Sequence, residues 1–89
     1  MVDTIQNGNY TPREVSSLDI RLSRAIRARR LANNLSQVAL GLKIGVGRLT
    51  IWRWENNVRL PDLAMLEKLA HALGCRLMDL FSDEPMGAL

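Results

Sequence analysis

The sequence predicts an all-α fold, five helices packed as one bundle, and three observations carry that expectation. Wherever apolar residues recur clearly their spacing is three or four, the step of an amphipathic helix, and no stretch alternates as a half-buried strand would. The 89 residues, 47% hydrophobic and 24% charged, suffice for one small domain with a single core. Residues that start or stop helices also stand at the ends of the apolar runs, with Ser, Gly or Asp before them and Asn or Gly after.

The opening residues, MVDTIQNGNY, are polar and show no apolar period, which predicts a flexible arm over residues 1–16. Within that arm Thr11, Pro12 and Glu14 form a capping-box pattern that would begin a short helical turn at 11–16. Ser17 is the expected cap of the first full helix. There Leu18, Leu22, Ala25 and Ile26 recur at steps of three and four, Arg29 and Arg30 follow, and Asn33 and Asn34 end the run. Ser36 should cap a second helix through QVALGLKI, with Leu40 and Ile44 facing inward and Gly45 as its stop. Gly47 opens a third helix, 47–56, and Asn57 stands where a positive φ would terminate it.

After VRLP, Asp62 caps a fourth helix with Leu63, Leu66, Leu69, Ala70 and Leu73 on its inner side, and Gly74 ends it. A short fifth helix gathers Leu77, Leu80 and Phe81, although Arg76 offers no acceptor at its expected cap, so its start could lie elsewhere. The tail SDEPMGAL, 82–89, is broken by Pro and Gly and is expected to be disordered. The domain proper is therefore placed at 17–81.

A net charge of +3 conceals an asymmetry. Between Arg21 and Arg59 stand nine basic residues, Arg21, Arg24, Arg27, Arg29, Arg30, Lys43, Arg48, Arg53 and Arg59, against the single acid Glu55, while both flanks are acidic on balance. Arginine keeps its charge, and its planar fork suits phosphates and guanine edges, so a nucleic-acid partner competes here with a merely solvated basic surface. One cysteine, Cys75, excludes an internal disulfide and fits a reducing, cytoplasmic setting. With one histidine, His71, there is no Cys/His cluster for a metal, and no cofactor is expected. His71 has no nucleophile or carboxylate pair nearby, so the chain is not expected to be an enzyme, and both residues read as structural or exposed. No apolar run approaches the roughly 18 residues of a membrane span, and the start lacks a signal pattern, so no membrane partner is expected.

Two short helices joined by a Gly-containing turn, with others to pack behind them, suit a helix-turn-helix whose second helix enters a major groove. LSQVALGLKIGVGRLTIWRWENN, followed by RLP, a leucine-rich helix, ALG and LMDLF, resembles the phage-repressor family of helix-turn-helix proteins, the Cro/C1 or XRE-like group. The resemblance covers roughly residues 18 to 81. It implies a five-helix lambda-repressor-like bundle, a helix-turn-helix formed by the second and third helices, and double-stranded DNA as partner.

On matching positions it implies phosphate contacts at Ser36 and Gln37, where a helix N-terminus suits an anion, and backbone contacts at Lys43, Thr50, Asn56 and Arg59. Base-edge contacts fall to Arg48, Leu49 and Arg53: Arg can bridge guanine O6 and N7, and Leu49 could lie against a thymine methyl. Arg53 is the leading candidate, its alternative being a solvated cation; Arg48 could equally be a phosphate contact, and Ser36 could be a cap alone. The resemblance also pairs Glu55 with Arg30 as a structural ion pair.

Steps of 100° along the third helix put Thr50, Trp54, Glu55 and Val58 on the side of Ile51, and Leu49, Trp52, Arg53 and Asn56 near the opposite side. Trp54 should pack beneath the first and fourth helices. Trp52, replacing a small polar residue common in the family, could stack on sugar or thymine, cover Arg48 or Arg53 by cation–π contact, or simply pack on its own helix. Two more departures stand in the second helix. Ala39 occupies the place of a Glu that would complete a capping box, and Gly41 replaces the usual Ala, which implies close backbone approach between the second and third helices.

The resulting expectation is a sequence-specific transcriptional regulator, a repressor acting as a homodimer on a palindromic operator. Met78, Phe81 and the tails are candidates for the dimer surface or, for the two side chains, plain core. The alternative is an antitoxin-like or adaptor protein of the same fold that also binds a protein partner.

Overall fold

Ser16, not Ser17, caps the first helix, α1 (Ser17–Ala32). Asp19 decides the difference, because it stands three residues after Ser16. The Ser16 hydroxyl accepts from the Asp19 N–H at 3.1 Å and the Asp19 carboxylate accepts from the Ser16 N–H at 3.1 Å, a reciprocal box that Ile20 could not return to Ser17. In this computed structural model residues 16–82 are described, so the expected arm, the helical turn at 11–16 and the tail lie outside the described residues, Ser16 and Ser82 excepted.

Three more α-helices follow, α2 (Gln37–Ile44), α3 (Arg48–Glu55) and α4 (Leu63–Leu73), then a 3-10 helix, η1 (Leu77–Phe81), with no strand among the described residues. Ser36 and Asp62 cap α2 and α4 through bonds of 2.9 Å from the N–H groups of Ala39 and Met65. At the C-terminal ends Asn34 and Asn57 take φ of 57° and 62°, and Gly45 and Gly74 take 84° and 71°, all in the left-handed region that stops a helix. The fifth helix begins where the apolar cluster begins, but five residues close as 3-10 rather than α, a form used in short pieces. Its cap works backwards: the Asp79 carboxylate accepts from the Arg76 N–H at 2.9 Å, supplying the acceptor that the Arg76 side chain lacks.

One core joins all five elements. Leu22 and Ile26 of α1, Leu40 and Ile44 of α2, Ile51 and Trp54 of α3, and Leu80 of η1 meet the buried row Leu66, Leu69, Ala70 and Leu73 of α4. The main neighbours of α3 are α1 and α2, while α4 packs on α2, α1 and η1, and Trp54 is buried in the core that these helices share. Three apolar residues assigned inward by periodicity are exposed: Leu18 and Leu63 lie in the first turns of their helices, outside the packed stretch, and Val58 lies past Asn57, where the helical period no longer applies.

Gly41 is buried, and a Cβ built there would collide with the Val46 carbonyl oxygen. The close approach expected at Gly41 is thus made by the turn between the helices, whose Val46 N–H also donates to the Gly41 carbonyl at 2.9 Å. Packing of backbone against backbone fixes how α3 leaves α2.

Candidate nucleic-acid interface

Eight residues of α3 carry two chemistries on two sides. Ile51 is fully buried and Trp54 is 5% exposed, whereas Leu49 and Trp52 are 48% and 39% exposed. Arg48 and Asn56 are exposed and Arg53 is half-buried, so Arg48, Leu49, Trp52 and Arg53 together form the outward side of the helix. Thr50 is half-buried between the two sides.

The inner side is held by a buried charge network. Arg30 donates through Nε to Glu55 Oε2 at 2.6 Å and through Nη2 to Oε1 at 3.0 Å, a two-pronged contact between side chains that are 8% and 1% exposed. Its Nη1 donates to the Leu35 carbonyl at 2.9 Å, tying the loop before α2 to the same guanidinium. The hydrogen bond from Arg30 to Glu55 pushes the guanidinium pKa above its usual value despite the opposing effect of burial, so the cation persists at every physiological pH. Glu55 Oε1 accepts a third bond, from Gln37 Nε2 at 3.1 Å. Gln37 Oε1 in turn accepts from Arg48 Nη1 at a long 3.5 Å, so a continuous polar chain runs from α1 through α3 and α2 to the outward entrance of α3.

Gln37, whose side chain was expected only to meet phosphate, therefore also braces α2 against α3. Neither residue announces this in the sequence, because the Gln37–Glu55 contact joins positions 18 apart and no local spacing encodes it. The Ser36 hydroxyl is engaged as a cap. Asn56 likewise uses Nδ2 on the Trp52 carbonyl at 3.0 Å and closes the helix end. The following loop folds over the same end, with Val58 N–H donating to the Arg53 carbonyl at 2.9 Å. Lys43, at the end of α2, and Arg59, in that loop, are exposed.

The arrangement offers cations and apolar side chains on one short helix, itself fixed from behind. No group of three or more His, Cys, Asp or Glu side chains placed to hold a metal occurs among the described residues. No helix among them is long and apolar enough to cross a membrane.

Comparison with known proteins follows the same residues. A family profile described as helix-turn-helix matches residues 26–80. Among solved structures, the P22 c2 repressor bound to a synthetic operator is 33% identical, with a TM-score of 0.67 over 71% of this chain and 96% of that one. The restriction-modification controller protein C.AhdI from Aeromonas hydrophila is 30% identical, with a TM-score of 0.67 over 71% and 96%. A hypothetical transcription factor from Neisseria, NHTF, is 26% identical, with a TM-score of 0.70 over 82% and 87%. No curated protein sequence matches.

Proposed function

Because the chain belongs to the XRE-like helix-turn-helix family, whose members here are DNA-binding regulators, we propose that it is a sequence-specific transcriptional repressor that sets α3 in the major groove of double-stranded DNA. It acts as a homodimer on a palindromic operator. The observation that carries this reading is the outward side of α3, where Arg48, Leu49, Trp52 and Arg53 are gathered on a helix whose other side is locked into the core.

Each side chain then has a task set by its chemistry. Arg53 reads a guanine through O6 and N7, Leu49 lies against a thymine methyl, Arg48 reaches a base edge or phosphate at the helix entrance, and Trp52 stacks on sugar or thymine. Ser36 and Gln37 present the N-terminus of α2 to a phosphate, and Lys43, Thr50, Asn56 and Arg59 hold the strand on either side. So small a module reads few base pairs, which favours two copies with their reading helices about 34 Å, one DNA turn, apart. Met78, 72% exposed, with Phe81 beside it in η1, is the surface proposed for the dimer.

Selection of bound sequences from a random DNA pool at fixed salt tests this. A palindromic consensus with half-sites about one turn apart is expected. Failure to enrich any sequence would overturn it in favour of the antitoxin-like or adaptor reading, in which a protein is the partner.

A further inference from the structure

A groove of about 650 Å³ lies between α2 and α4, away from the outward side of α3. That volume falls within the range of about 300–1,000 Å³ typical of small-molecule sites. Its floor is apolar, made by the buried Ile44 and by Ala72, which packs on the core, and the small side chain of Ala64 leaves it open. Its rim carries a lysine from each wall. Lys43 stands on α2, Lys68 and His71 stand on α4, and Glu67 is the one acid among them. No hydrogen bond or ion pair among the described residues engages these four side chains.

A lysine from each of two helices beside an apolar floor suits a ligand with an anionic head and a short apolar body. Lysine stems can lie along apolar surface while their charged ends meet the head group. A bare anion would leave the floor wet, and a neutral alkyl chain would leave the lysines unpaired.

We propose that this groove binds a small amphiphilic anion, of the class of a medium-chain carboxylate, and that the bound ligand weakens DNA binding by drawing Lys43 away from its phosphate. The second half rests on the DNA-binding reading; the first does not. Affinity should rise with chain length, by up to about fourfold for each added methylene that is buried.

The test has two arms. In the first, octanoate is titrated into the free protein and backbone amide signals are followed by NMR. Octanoate should shift the signals of Lys43, Ala64, His71 and Ala72, acetate and octanol should do so at least tenfold more weakly, and Lys68→Glu and Ala64→Trp should each weaken octanoate at least tenfold. Both substituted positions are exposed, so the fold should persist. Absence of localised shifts, an equal response to acetate or octanol, or indifference to both substitutions would overturn the site. This arm contains no DNA and decides the groove even if the DNA-binding reading fails. In the second arm, saturating octanoate should weaken operator binding of the unaltered protein and leave that of Lys68→Glu unchanged. A filled groove with unchanged DNA affinity would overturn the coupling through Lys43.

Discussion

Removing the Glu55 carboxylate would leave the Arg30 guanidinium buried with only the Leu35 carbonyl as partner, and would strand the Gln37 amide as well. Glu55→Ala is therefore expected to cost about 3–5 kcal/mol in urea denaturation. A double change, Arg30→Met with Glu55→Leu, should recover most of that loss, since it removes both charges together; equal losses in single and double variants would contradict the pairing. Arg53 lies on the opposite side, so its loss should be read in DNA and not in stability. Arg53→Ala should cost about 1–3 kcal/mol at one operator base and relax preference there, whereas uniform weakening over all sequences would reassign it to a phosphate. The division of α3 into two sides was legible from helical periodicity alone. The partners of each side chain were less so: the Arg30–Glu55 contact came from the family pattern, and the Gln37–Glu55 contact joins distant positions that no periodicity connects.

Helix boundaries were legible because caps are local, and Ser36, Gly45, Gly47, Asp62 and Gly74 do what their residue types suggest. The one-residue error at Ser16 shows the limit, since two adjacent serines offer the same hydroxyl and only the position of Asp19 separates them. Gly41 and Gly47 separate propensity from packing. A helical Ala is favoured over Gly by about 1 kcal/mol, yet Gly41→Ala should lower the melting temperature, because its Cβ meets a backbone carbonyl that cannot swing aside. Gly47 faces open space at an ordinary φ of −83°, so Gly47→Ser, adding a capping hydroxyl, should raise stability by about a few tenths of a kcal/mol.

Asp79 gives the closing 3-10 helix a dependence on pH. The Arg76 N–H, and then the Arg76 side chain, hold its carboxyl below the usual carboxylate range. A lowered folded-state pKa means that this stabilisation is present above the unfolded-state value and fades as pH falls through the folded-state value. Asp79→Asn should thus melt below the unaltered protein at neutral pH, with the gap closing in strong acid; a constant gap would assign the loss to something other than the charge.

Over the whole molecule the basic stretch from Arg21 to Arg59 is flanked by acidic ends, and the exposed cations Lys43, Arg48 and Arg59 frame α3. Phosphate contacts release counterions, so DNA affinity should fall linearly with the logarithm of salt, and Lys43→Ala should flatten that slope by about 0.9 for each phosphate contact it removes. An unchanged slope would take Lys43 out of the DNA interface. Fold class, helix order and the helix-turn-helix were all readable at this scale, whereas the groove between α2 and α4 was not, because it exists only once Lys43 and Lys68 are brought together by packing.

The alternation of roles along α3 has a consequence for how such a protein can change. Ile51, Trp54 and Glu55 anchor the helix, and none of them shares a position with Arg48, Leu49, Trp52 or Arg53. On the proposed DNA-binding reading, the outward four can be exchanged as a set, in the laboratory or by descent, for another protein's reading residues while the scaffold is retained. Retargeting is then a matter of transplantation, with Gln37 as the one graft boundary to respect, since it touches both the anchor at Glu55 and the entrance at Arg48.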